Sequence, residues 1–311
     1  MKFIKFNTNK KNMNFEQNNN HKDLIVKIFC IIDDLKKMLW QKKLWSKAWR
    51  KATLNESEII SIMILWKMLW YKAINGIYWH IRNYFFDMFR MPSYKSFVEL
   101  VNKYSVEWIK LLSIMMNLNQ KNMKQNLYFI DSSKIAVCWN KRIFNHKVCK
   151  WIAQRWKSSM WWFFGFKLHI ITDSFWNLIR IRVTSWNVDD RNPVISMMKN
   201  LTWVLVWDAW YVWEELRKKL LEKSIQFLTW VKKNTTLRKS PCGMKKLMAK
   251  WQHTLFKTRQ IVETSFSVLK WTKDLVSSFA RSVNWHFARI VYALLSYSIA
   301  KQLNNQKISI S

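Results

Sequence analysis

Two short apolar segments in the second half of the chain, LYFID at 127–131 and VLVWD at 204–208, each end in an aspartate. Brief apolar runs closed by a polar residue read as buried strands. Asp131 and Asp208 therefore stand where a buried strand reaches solvent. A later segment, FKTRQIVETSFSVLKWTK at 256–273, reads as one helix with a chemical face. Arg259, Glu263 and Lys270 are four and then seven residues apart, which puts them on one side of a 3.6-residue helix. Ile261, Val262, Ser265 and Leu269 fall on other sides and supply a packing face. Alone, Arg259 and Glu263 would be an ordinary i,i+4 pair worth a few tenths of a kcal/mol. With two strand-end aspartates upstream, Glu263 instead completes a three-carboxylate set suited to divalent metal.

The order of the remaining segments limits the fold. KIAVC is expected to carry the first strand into a hairpin, and a basic loop follows at 140–159. GFKLHIIT (165–172) and LIRIRVT (178–184) read as a hairpin around DSFWN. Asp189, Asp190 and Pro193 signal a helix start, with a direct role at the site left open for the two acids. VLVWD, a helix at 213–224 and a strand at 225–229 come next. The predicted order is β β β α β α β α. Acids fall at the end of the first strand, at the end of the fourth and on the last helix of the core. That arrangement matches an α/β fold of ribonuclease-H-like type, a mixed sheet with flanking helices.

Ahead of it the pattern is helical. Residues 1–22 are Asn/Lys-rich and read as a disordered basic tail, and residues 23–125 as a helical, DNA-binding domain. There Asn55 or Ser57 is placed to cap a helix with Glu58 in its first turn. The catalytic domain is expected at 126–300 and a short tail at 301–311.

Fifty-three Lys and Arg against nineteen Asp and Glu give a formal charge of +34, which draws a chain to polyanions. The cations are spread along the chain among aromatics, as on a folded nucleic-acid-binding surface. Cys30, Cys138, Cys149 and Cys242 form no C-x-x-C pair. Cys138, His146 and Cys149 lie close in sequence, but no fourth zinc ligand is apparent. The first residues lack the apolar core of a signal peptide, and no apolar run reaches the roughly 18 residues of a membrane span. The expectation is a cytoplasmic, nucleoid-associated protein with no membrane partner.

The segments FIDSSKIAVC, WWFFGFKLHIITD, TSWNVDDRNPV, VWDAWY and RQIVETSFSVLK resemble those of the insertion-sequence DDE transposases, in particular the IS nine-eighty-two group. LNESEIISIMILWKMLW and RMPSYKSFVELVNK are similar more loosely, so the likeness spans roughly residues 24–300. The family's Y-x2-R-x3-E-x6-K signature falls on Phe256, Arg259, Glu263 and Lys270, with phenylalanine replacing the tyrosine. The resemblance implies Asp131, Asp208 and Glu263 as the catalytic, metal-holding triad for two Mg²⁺ ions, with Mn²⁺ as a substitute. It implies Arg259, Lys270, Lys157 and Arg155 as DNA phosphate contacts. The implied partners are the element's terminal inverted repeats, target DNA and further copies of the chain in a synaptic complex. The implied activity is cleavage and joining of DNA strands; alternatives are a metal-dependent nuclease that does not join, or a decayed copy that only binds DNA.

The chain has 22 Trp and 3 Gly, although average usage would put glycine near 7%. The resembling family has glycine where this chain has Trp186, Trp207 and Trp210, and Trp156 and one of Trp161 or Trp162 look the same. Trp176 sits in the DSFWN turn, where glycine is usual. One cause covers all of these: a gene whose UGA codons mean glycine, written out with UGA as tryptophan.

Overall fold

The computed structural model describes residues 15–39, 53–123, 127–157, 162–201, 203–207, 214–222, 225–229, 260–271, 275 and 280–309. The chain divides into two compact units, Met1–Tyr104 and Ser105–Ser311.

In the first unit the described residues form α1 (Phe15–Leu39), α2 (Glu56–Met68), α3 (Ile74–Tyr84) and α4 (Tyr94–Lys103). Of the two candidate caps, Asn55 is the one used. Its side chain accepts from Glu58 N at 2.8 Å while the Glu58 carboxylate accepts from Asn55 N at 2.7 Å. This reciprocal pair satisfies two of the donors a helix start leaves open. From Ile59 to Lys67 every residue of α2 is buried, and α1, α3 and α4 all pack on it. A helix apolar on all sides has to be central.

The second unit begins with α5 (Ser105–Lys121), the last of the segments that the sequence pattern reads as helical before the strands. Then come β1 (Leu127–Ala136), a single 3₁₀ turn at Asn140–Arg142, β2 (Gln154–Lys157), β3 (Trp162–Asp173) and β4 (Leu178–Ser185). They are followed by α6 (Asn192–Met197), β5 (Trp203–Trp207), α7 (Glu214–Leu221), β6 (Ile225–Thr229), α8 (Gln260–Trp271) and α9 (Val283–Ser309). Two expectations are corrected. KIAVC does not turn back: LYFID and KIA form one continuous strand, paired with β3 from Tyr128↔Asp173 to Ala136↔Gly165. The basic loop also contains a strand, β2, antiparallel to the start of β3.

β1 is the hinge of the sheet. On one side it runs antiparallel to β3, which in turn pairs antiparallel with β4. On the other side it runs parallel to β5, and β5 parallel to β6. The order β4-β3-β1-β5-β6, with β2 extending the β4 side, is a mixed sheet with flanking helices, consistent with a ribonuclease-H-like DDE domain. Gly165 is required here. It lies in β3 between β1 and β2, and a Cβ at that position would overlap the Ile135 carbonyl oxygen.

Alternation along the strands sorts their residues between two faces. Tyr128, Ile130, Ile171, Ile179, Leu205, Trp207 and Ile225 meet Val194, Met197 and Leu201 in and after α6 and Leu220 of α7 in one core. Phe129, Asp131, Leu168, Ile170 and Val206 belong to the opposite face. That face is covered by α8, which packs on β1 and β3, and by α9, which packs on α8 and α5.

Candidate active site

Asp131 owes its position to the change of partner along β1. The strand is buried from Tyr128 to Ile130 and becomes partly open at Asp131, Ser132 and Ser133. The recorded parallel pairing with β5 ends at Phe129↔Val206, two residues before Asp131. Beyond that point the antiparallel pairing continues, with Asp131 opposite Ile170. In sheets of this kind the space beyond the carboxyl ends of parallel strands is where ligands bind. The Asp131 carboxylate accepts a hydrogen bond from Ser132 N at 2.8 Å through Oδ1, which anchors the side chain near its own backbone.

Glu263 stands in the first turn of α8, where a negative charge meets the positive end of the helix dipole. Its side chain is exposed, whereas Val262, Ser265, Phe266 and Leu269 are buried. The packing face is therefore close to the one read from the sequence, with Phe266 replacing the half-buried Ile261. Ser265 Oγ lies 2.9 Å from Tyr297 Oη of α9, and that phenol donates to the Trp176 carbonyl at 2.9 Å. This chain of contacts ties α8 to α9 and to the β3–β4 turn. Burial is the main cause that pushes the Tyr297 phenol up to about 12, so it stays a neutral donor.

Lys270 lies two turns along α8 from Glu263 and is half-buried, its ammonium 5.9 Å from the centre of the Phe266 ring. Burial pulls its pKa below the ordinary lysine value, Lys134 adds to the effect, and the Asp131 carboxylate opposes it. Lys270 thus shares an electrostatic neighbourhood with Asp131 and Lys134. Lys134, three residues beyond Asp131 on β1, was not singled out by the sequence reading. Only its spacing from the aspartate could have drawn attention to it.

The other expected site residues divide into two groups. Asp208 follows the last residue of β5 directly in sequence, and like Arg259 and Phe256 it lies outside the described residues. Arg155 and Lys157 are in β2, opposite Phe164 and Trp162. Arg155 pairs six positions along β3 from the partner of Asp131, about 20 Å at strand rise. The sheet therefore does not bring Arg155 beside the aspartate. Its guanidinium instead sits 5.2 Å from the Phe144 ring and 4.5 Å from the Trp162 ring; in the segment before β2, Lys141, Arg142, Lys147 and Lys150 are also exposed.

Asp189 and Asp190 do not cap α6: the N-cap is Arg191, without a side-chain cap bond. Asp189 instead takes both Nε (2.8 Å) and Nη2 (2.6 Å) of Arg191, and the Arg191 hydrogen bond lowers its carboxyl to about 2. Asp190 pairs with Lys167 at 3.0 Å. His169 is a buried sheet residue, its Nε2 2.8 Å from Thr184 Oγ1, and burial drives its pKa to about 4. Cys138 and Cys149 sit in an apolar cluster with Phe164 and Phe166, and burial raises both thiols. That is the environment of packed thiols, and it does not suit zinc thiolates.

Among the described residues no three His, Cys, Asp or Glu side chains come together. Asp131 and Glu263 are oxygen donors of the type that Mg²⁺ and Mn²⁺ prefer. One is partly open, the other exposed, and they stand on a strand and a helix packed against each other, so both fit a divalent ion reached from solvent.

A mixed sheet with a carboxylate on its central strand and a glutamate-bearing helix packed on that strand is consistent with a ribonuclease-H-like DDE domain. The model of the transposase DDE domain family matches residues 121–283, over half of the chain, and the chain belongs to that family. No curated protein and no solved structure matches it. Membership makes DNA the partner and places the chain in the nuclease and transesterification class. No described helix is long and apolar enough to cross a membrane.

Proposed function

We propose that the chain is the transposase of an insertion sequence of the IS nine-eighty-two group, which cuts the ends of its element and joins them to target DNA. The observation that carries this reading is the β1–β5 register. Phe129 pairs with Val206, and Asp131 and Asp208 each follow two residues later in sequence. The helix bearing Glu263 packs on that same strand β1.

Asp131, Asp208 and Glu263 would hold two Mg²⁺ ions, which when bound supply Lewis-acid stabilisation of the phosphate and a more acidic water or 3′-hydroxyl. The chain's own side chains do the rest. Lys270, half-buried beside Asp131, offers a cation to a phosphate oxygen at short range, where burial strengthens the attraction. The Ser132 amide holds one oxygen of the Asp131 carboxylate and so fixes the side chain near its own strand. Arg155, Lys157 and the exposed lysines of the segment before β2 bind backbone phosphates away from the reacting bond, and Arg259 is a phosphate contact preceding α8. In the cell such a protein acts at the nucleoid, as an oligomer that pairs two element ends.

We also read Trp156, Trp176, Trp186, Trp207 and Trp210 as glycines of the native protein, encoded by UGA. Trp176 supports this through its backbone. Trp207 is buried in the core shared with α6 and α7, facing away from Asp131; there glycine would leave a space for neighbouring side chains to fill.

The test is a plasmid assay with pre-cut element ends, supercoiled target and Mg²⁺. Joined products support a transposase. Cut but unjoined ends would support a nuclease instead, which the same carboxylates could serve. Specific binding without cutting would indicate a decayed copy.

A further inference from the structure

Among the described residues four that are not glycine have left-handed backbone: Trp70 (φ 60), Cys149 (φ 60), Trp176 (φ 61) and Asn200 (φ 62). Asparagine visits this region routinely; for a bulky side chain it is an outlier. Two of the four being tryptophan calls for a cause.

Each tryptophan occupies a position where a standard motif calls for glycine. α2 ends at Met68, and Leu69 is its C-cap, with its N–H on the Leu65 carbonyl at 2.8 Å. Trp70 is the next residue, the left-handed position that ends many helices and is usually glycine. Its side chain is half exposed (49%), so no burial offsets the backbone. At Trp176, the Asp173 carbonyl accepts from Trp176 N (3.3 Å), while Asp173 N donates to the Asn177 carbonyl (3.1 Å). The loop is then Ser174-Phe175-Trp176, a three-residue hairpin turn whose last residue is left-handed, again a glycine position. The Trp176 indole Nε1 is buried without a hydrogen-bond partner, which a native tryptophan seldom tolerates.

We propose that residue 70, like residue 176, is glycine in the protein its own cell makes, and that codon 70 is TGA. This rests on the recoding of UGA read above and extends it to a position chosen by backbone geometry alone. It is independent of the catalytic reading. With glycine at both places, α2 is terminated and the β3–β4 turn closed by residues that adopt φ > 0 without steric cost.

Two measurements on the full chain decide it. Gene sequencing with peptide mass spectrometry of the native protein should give TGA at codon 70 and a glycine mass in the peptide spanning it. TGG at codon 70 overturns this proposal while leaving the other five codons untouched. TGA with a tryptophan mass overturns the recoding itself, and neither result bears on the carboxylates. In the chain made with tryptophan, Trp70→Gly should raise the melting midpoint. Trp70→Ala, which trims the side chain but keeps the left-handed penalty, should not. Equal gains from both would show that bulk, not backbone, is the problem at residue 70.

Discussion

Acid should destabilise the second unit, and His286 of α9 allows the size of the effect to be worked out. This imidazole is 3% exposed, with the rings of Phe166 and Phe287 centred 5.6 and 5.5 Å away. Burial lowers its pKa from 6.5 to about 4, and the charge of Arg289, with that of His146 once protonated, acts in the same direction. The folded pKa lies below the unfolded one, so the unfolded chain binds more protons between these values. Stability therefore falls as pH drops through that window. At about 1.36 kcal/mol per pK unit, the loss from pH 7 to 4.5 is roughly 2–3 kcal/mol from this residue. His169 shifts the same way and steepens the slope, while Asp189, at about 2, remains ionised throughout. Urea unfolding of the full chain at pH 7 and 4.5, compared with His286→Leu, isolates the term. The variant should lose about 2 kcal/mol less than the parent over that interval. Identical losses would refute the assignment of His286 as a neutral, buried group.

Gly165→Ala should cost about 1–3 kcal/mol in the same unfolding measurement, as overpacking of a filled site does, because the Ile135 carbonyl already occupies the space of a side chain; an unchanged midpoint would mean β1 and β3 can separate there freely. DNA affinity should fall with salt at a log–log slope near −0.9 per phosphate neutralised. Arg155→Ala should reduce that slope by about one while leaving the cutting rate of the bound complex intact; a lost cutting rate with normal binding would place Arg155 at the reacting phosphate.

The core of the sheet was legible because its signals are local. Apolar runs closed by Asp131, the DSFWN turn and the Asn55–Glu58 capping box each depend on residues a few positions apart. What escaped depends on partners distant in sequence. β2 is four residues long and polar, and it becomes a strand only because β3 presents an open edge. KIAVC looked like a returning strand because β1 changes from buried to part-open at Asp131 while its backbone continues straight. Lys134 gains its meaning from Lys270, over a hundred residues away, and the place of Arg155, six β3 positions from the partner of Asp131, is set by strand register. Asp190 was read as a helix start because its partner, Lys167, lies on a different element.

The central claim is that Asp131, Asp208 and Glu263 act together on a phosphodiester. Asp131→Asn retains the acceptor that Ser132 N uses and removes only the charge, as Asp208→Asn and Glu263→Gln do at their positions. Each variant should melt within about 1 kcal/mol of the parent and bind element-end DNA normally, while Mg²⁺-dependent cutting falls by at least about a thousandfold. Cutting at the parental rate by any one of the three, with folding and binding intact, would contradict the account.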